Sequence, residues 1–145
     1  MQKLRAATFF IHNFCRENVK IRIKEELEVA KTRLKAAKLL FEKGMLEDTV
    51  NRAYYAFFHA AKAMLNVLGY DAKTHSGLIS EFGLRIIKNS MLDKKFAQYF
   101  RRAFEMRESS DYEIGIIFSE EEVKTLIKNA EEFLQKAQEF VEKRL

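Results

Sequence analysis

SEEEVKTLIKNAEEFLQKAQEFV, residues 119–141, carries a helix start and a helix face in a single stretch. Ser119 with Glu122 three residues on forms a capping box, in which each side chain satisfies the other's backbone amide, and Phe118 with Val123 has hydrophobic-staple spacing. Beyond the cap, Val123, Leu126, Ile127, Ala130, Phe133, Leu134, Ala137, Phe140 and Val141 recur at helical steps. The pattern predicts a helix over about 120–144 that buries this face. A single amphipathic helix needs partners of the same kind, and the rest of the chain supplies them.

Upstream, Leu27, Ala30, Leu34, Ala37 and Phe41 form one stripe of a helix expected over about 23–43, stopped by Gly44. A second helix is expected from Leu46 to Leu68, opening on Glu47 and Asp48 and closing at Gly69. Its apolar side is Val50, Tyr54, Phe57, Ala61, Met64, Leu65 and Leu68. Thr74 suits an N-cap for a third helix over about 75–88, with Leu78, Phe82 and Ile86 inward. Ser90 with Asp93 is expected to start a fourth helix reaching about Ser109, buried through Phe96, Phe100, Ala103 and Phe104. Proline is absent and glycine occurs 5 times in 145 residues, which suits long uninterrupted helices. The expected fold is all-α: an up-and-down bundle of four long helices and one short helix, with an N-terminal helical extension.

The length fits one domain, expected over 21–145 after a basic amphipathic extension over 1–20. The net charge of +5 comes mostly from this extension: residues 1–24 hold six bases against Glu17 alone, leaving 20 bases and 20 acids for residues 25–145. Leu4, Ile11 and Phe14 give the extension its helical spacing, and His12, Asn13 and Arg16 cut its apolar run too short for a signal peptide. The alternative is a natural start near Val19, with the residues before it an added extension. No apolar run is long enough to span a bilayer. Cys15 is the only cysteine, so no internal disulfide forms and a cytoplasmic location is expected. His12, His59 and His75 lie far apart, and neither a metal site nor a cofactor is expected.

Chemistry concentrates at three places. On the second helix Asn51, Tyr55 and Lys62 share a stripe bordered by Arg52 and His59, a face suited either to hydrogen bonding within the fold or to a ligand. On the fourth helix Arg107 continues the Phe96, Phe100, Ala103 line. An arginine there cannot lose its charge and needs an anion. Asp111, four residues on, provides one as a helical ion pair, or else Arg107, Asp111 and Tyr112 line a cleft for phosphate. The opposite side of that helix carries Lys94, Lys95, Arg101 and Arg102, a basic face open to non-specific RNA contact. Residues 108–145 hold ten acids against five bases, which offers that face internal compensation as well. Gly-rich phosphate loops, nucleophile elbows and zinc-finger spacings are missing from the sequence.

Taken in order, Asn51 to Ala63 (NRAYYAFFHAAKA), Lys73 to Gly77 (KTHSG), Phe82, and Arg107 with Asp111-Tyr112 resemble the HEPN family (higher eukaryotes and prokaryotes nucleotide-binding domain), in its small stand-alone prokaryotic branch. The resemblance spans roughly residues 21–142. It implies a five-helix bundle that forms a homodimer, often encoded beside a minimal nucleotidyltransferase as a toxin-antitoxin-type module. Many relatives are metal-independent ribonucleases whose motif is an Arg followed after four to six residues by His. Arg107 matches that Arg, but Arg107-Glu108-Ser109-Ser110-Asp111-Tyr112 contains no His. In such chemistry the Arg stabilises phosphate charge and the His handles the proton of a ribose hydroxyl. His75 or His59 substitutes only if the fold brings one beside Arg107, and Asp111 would repel phosphate.

The leading expectation is therefore a HEPN-type protein, without the usual ribonuclease activity, that binds a nucleotide, RNA or a nucleotidyltransferase partner around Asn51, Tyr55, His59, Lys62, Arg107, Asp111 and Tyr112. The alternatives are a ribonuclease toxin using Arg107 with a relocated His, and a structural homodimer without ligand.

Overall fold

The computed structural model describes the backbone of residues 2–145 and the side chains of residues 15–145. Helix α1 spans Gln2–Glu42, α2 Leu46–Val67, α3 His75–Phe82, α4 Lys95–Tyr112 and α5 Glu120–Glu142, and no strand occurs among the described residues. Four long helices and one short one make an all-α bundle, as the periodicities indicate. No described helix is long and apolar enough to cross a membrane.

The first helix is one 41-residue rod where the sequence suggests an extension and a separate helix from residue 23. No Pro or Gly interrupts the chain before Gly44, so nothing ends the rod. Among its described residues the first side chain in the core is Ile23, followed by Leu27, Ala30, Leu34 and Ala37, while Phe41 is partly buried. The side chains of Leu4, Ile11 and Phe14, assigned to an amphipathic face, lie outside the described residues. Gly44 closes α1 at φ 73°, a left-handed turn that an L side chain rarely adopts, and Gly69 ends α2 in the same way at φ 89°.

Helix α2 packs against α1, α3, α4 and α5 and is the centre of the bundle. That position explains its composition. Ala53, Ala56, Ala60, Ala61 and Ala63 are buried where neighbouring helices approach, and Phe57 stacks on Phe100 of α4 and packs on Phe133 of α5 at 4.7 Å between ring centroids. Phe82 from α3 joins the same aromatic cluster against Phe100 and Phe133.

The capping box of α5 is present in both directions: the Glu122 N–H donates to Ser119 Oγ and the Ser119 N–H donates to Glu122 Oε2. These bonds from Ser119 hold the Glu122 carboxyl below its ordinary range. All nine residues assigned to the α5 apolar face are buried. Two boundaries differ from the sequence pattern. The third helix is α-helical only to Phe82 and continues as a π-helical turn over Gly83–Ile87. The fourth begins at Lys95 rather than Ser90, because Ser90 sits at φ 58° and the first-turn amide of Lys95 is capped by Asp93 Oδ1. It runs on to Tyr112, which places Arg107 and Asp111 in the same last turns, and its buried side includes Met106 whereas Phe104 is only partly buried.

Truncation of the central aromatic and loss of the cap test this packing separately. Phe57→Ala should cost about 3–5 kcal/mol in urea denaturation, and Ser119→Ala about 1 kcal/mol.

Candidate functional site

Tyr54 lies on the α2 face directed into the bundle and is 0% exposed, so its hydroxyl must find a partner inside the protein. The partner is His75, the first residue of α3, with Tyr54 Oη 2.6 Å from His75 Nδ1. The sequence around His75 fixes it there. Thr74 caps α3 by accepting the Gly77 N–H on its Oγ1 at 2.9 Å, and a Cβ at position 77 would stand 2.6 Å from that oxygen. Glycine at 77 is what lets the cap close. The preceding loop is tied down through Asp71, which takes Arg22 of α1 at 3.2 Å, its own neighbour's Ala72 N–H at 3.0 Å and Lys62 of α2 at 3.9 Å.

Arg107 approaches the same two residues from α4. Its guanidinium carbon lies 5.2 Å from the centroid of the Tyr54 ring and 5.6 Å from that of Tyr55, within cation–π range of both. Arg107 Nε is 3.1 Å from Asp111 Oδ2, but the N–H is not aimed at that carboxylate, and the buried Nε has no hydrogen-bond partner. The contact is thus a charge pair without its hydrogen bond. The Arg107 side chain is 20% exposed and Asp111 37%, so the arginine is the desolvated member. His75 rests against the rings of Tyr54, Tyr55 and Phe58, with the closest centroid, that of Phe58, at 4.9 Å.

These neighbours shift the titrating groups. Burial pushes the Tyr54 phenol well up, and the Arg107 charge only partly opposes it. Burial, then the Arg107 charge, pulls His75 below the ordinary 6.5, so its imidazole is neutral at pH 7.

The residues singled out from sequence divide into groups. Tyr55, Arg107, Asp111 and His75 are brought together, and Tyr112 flanks them at 81% exposure. His59 turns instead to α1, where its Nδ1 is 2.6 Å from Glu26 Oε2, both side chains being mostly buried. Lys62 lies over the Phe58 ring and near Asp71, and Asn51 is half-buried. On the outer face of α4, Lys95 pairs with Glu132 at 2.6 Å and Arg102 with Glu122 at 3.2 Å, so α5 neutralises half of that basic face. Lys94 and Arg101 have no acidic partner among the described residues.

Tyr54 is the site residue that the apolar periodicity concealed, because it occupies a core position. The signal was its chemistry: tyrosine where phenylalanine fills space equally well implies a buried hydroxyl with a job.

Comparison with known proteins places the chain in a family. The family described as HEPN domain matches residues 23–140. A protein of Methanocaldococcus jannaschii named "Putative toxin" is 33% identical over 120 residues, covering 83% of this chain and 89% of that protein. A UPF0332 protein of Archaeoglobus fulgidus is 41% identical over 130 residues, covering 82% of this chain and 98% of that protein. A UPF0332 protein of Thermotoga maritima is 36% identical over 106 residues, covering 73% and 80%.

The depressed His75 has a measurable consequence. An unfolded chain takes up this proton near 6.5 whereas the folded one resists until lower pH, so stability falls as pH drops below 6.5 and through the folded value. NMR titration should place His75 below 6.5, and Arg107→Ala should raise its midpoint without restoring the ordinary value, since burial is the larger cause.

Proposed function

The chain belongs to the HEPN domain family, and from that premise we propose that it is a toxin-type member that binds RNA by holding a phosphate at Arg107. The observation that carries this is the guanidinium itself. It is mostly buried and lies near two tyrosine rings, its sealed Nε has no hydrogen bond although a carboxylate stands 3.1 Å away, and its terminal amino groups, neither sealed nor hydrogen-bonded among the described residues, are the donors left for a ligand. Arginine offers five donors in a fixed fork that matches the oxygens of a phosphate. Asp111 occupies part of that fork as an internal anion. The pair lacks its hydrogen bond and Asp111 is the more exposed member, so an incoming phosphate can take its place without breaking one.

Tyr55 and the exposed Tyr112 offer aromatic faces beside the phosphate position, and base–aromatic stacking contributes about 1–3 kcal/mol per base. In this reading the protein forms a homodimer and works with a minimal nucleotidyltransferase partner, with Ile114 and Ile117, almost fully exposed beside the site, available to a protein surface.

One observation favours a second reading, metal-independent RNA cleavage: His75, absent from the motif stretch, is tied through Tyr54 to the Arg107 cluster and supplies the relocated histidine.

Incubation with a structured RNA in the absence of metal separates the two. The binding account expects retention of intact RNA, an approximately tenfold or greater loss of affinity in Arg107→Ala, and a shallower salt dependence for that variant. Asp111→Asn should bind at least as tightly as the parent, because a competing negative charge is removed. Cleavage by the parent that Arg107→Ala and His75→Ala both lose would establish the ribonuclease reading instead, and unchanged binding by Arg107→Ala would remove Arg107 from the function.

A further inference from the structure

The bond between Tyr54 and His75 fixes more than the position of the ring. A hydroxyl and an imidazole nitrogen share one proton between them, and two arrangements satisfy the 2.6 Å separation. Either Tyr54 Oη donates to an unprotonated Nδ1, or Nδ1–H donates to the phenol oxygen. Tyr54 is fully buried, and among the described residues His75 is its only hydrogen-bond partner. In the second arrangement the phenolic hydrogen is left in the core with nothing to accept it, an uncompensated desolvation. In the first, every group is satisfied. Tyr54 is therefore the donor, and in the neutral imidazole the remaining hydrogen must sit on Nε2.

Nε2 has no hydrogen-bond partner among the described residues, and it is not among their sealed, unsatisfied side-chain atoms, so it reaches solvent. Its hydrogen lies in the same aromatic cluster as the Arg107 fork, since His75 and Arg107 flank the rings of Tyr54 and Tyr55.

We infer that Tyr54 is a positioning residue that locks His75 in the Nε2-protonated tautomer, making His75 a second hydrogen-bond donor to the phosphate held by Arg107 and not a proton acceptor. This rests on the proposal that the Arg107 site binds phosphate and sharpens it. A general base must present a lone pair to the ribose hydroxyl. Locked in this way, Nε2 presents a hydrogen, which binds an anionic oxygen and leaves RNA intact. A single hydrogen bond, from a buried tyrosine, thereby separates a binding site from a cutting one.

The test combines nitrogen NMR of His75 with titration of inorganic phosphate and of a single-stranded RNA oligonucleotide. In the parent, Nε2 should appear protonated and Nδ1 unprotonated, and the Nε2–H signal should move as phosphate is added. Tyr54→Phe keeps the ring but removes the donor, and His75 should then populate both tautomers and bind RNA several-fold more weakly. His75→Gln, whose amide places an N–H close to the position of Nε2–H, should retain RNA affinity near that of the parent, whereas His75→Ala should lose about tenfold. A role in packing alone would move none of the tautomer signals.

A parent protonated on Nδ1 would overturn the assignment. So would Arg107-dependent phosphate binding that is equally tight in His75→Ala, which leaves the Arg107 site standing and removes His75 from it. If phosphate and RNA bind no part of this cluster, the binding proposal and the role of His75 fall together.

Discussion

A hydroxyl sealed inside a helical bundle has few ways to be satisfied, and among the described residues Tyr54 has one: the Nδ1 of His75, 2.6 Å away. Much of the site follows from this bond. It brings the start of α3 against the face of α2, next to the rings over which Arg107 of α4 lies. Three separate stretches of chain thereby contribute to one polar cluster at the margin of an aromatic core. The cluster is stable because its members compensate one another. The rings of Tyr54 and Tyr55 shelter the arginine charge, and burial, then that charge, keeps the imidazole neutral.

The bundle supplies the rigidity this requires. Helix α2 touches every other helix, and its alanines admit close approach while Phe57 anchors the aromatic contacts to α4 and α5. Tyr54 sits on the same helix and packs on Phe100 and Phe104, so the site hydroxyl is held by the core itself. On the outside two bases of α4 are paired with acids of α5, Lys95 with Glu132 and Arg102 with Glu122.

The helices were legible in the sequence because burial imposes a period that a single chain cannot hide. The α5 stripe and its capping box are the clearest case, with all nine apolar positions buried. Boundaries were less legible where side-chain chemistry competes locally: Ser90 resembles a cap, but its left-handed backbone makes it part of the turn, and Asp93 does the capping. Arg107 stood out because a charge on an apolar line demands an explanation. Tyr54 did not, since periodicity sees its ring and not its hydroxyl. The fate of His59 was equally hidden, because its partner Glu26 lies on another helix, 33 positions away, and only the folded chain brings them to 2.6 Å. Pairings of that kind depend on packing, which no spacing along one helix encodes.

The central claim is that a phosphate of RNA sits between Arg107 and the protonated Nε2 of His75. A crystal structure of the protein with a short, non-cleavable RNA tests it most directly. The account predicts one phosphate within hydrogen-bond distance of both the Arg107 guanidinium and His75 Nε2, with Asp111 displaced from Arg107. RNA bound only along Lys94 and Arg101, with the Arg107–Asp111 pair and the His75 ring untouched, would contradict it.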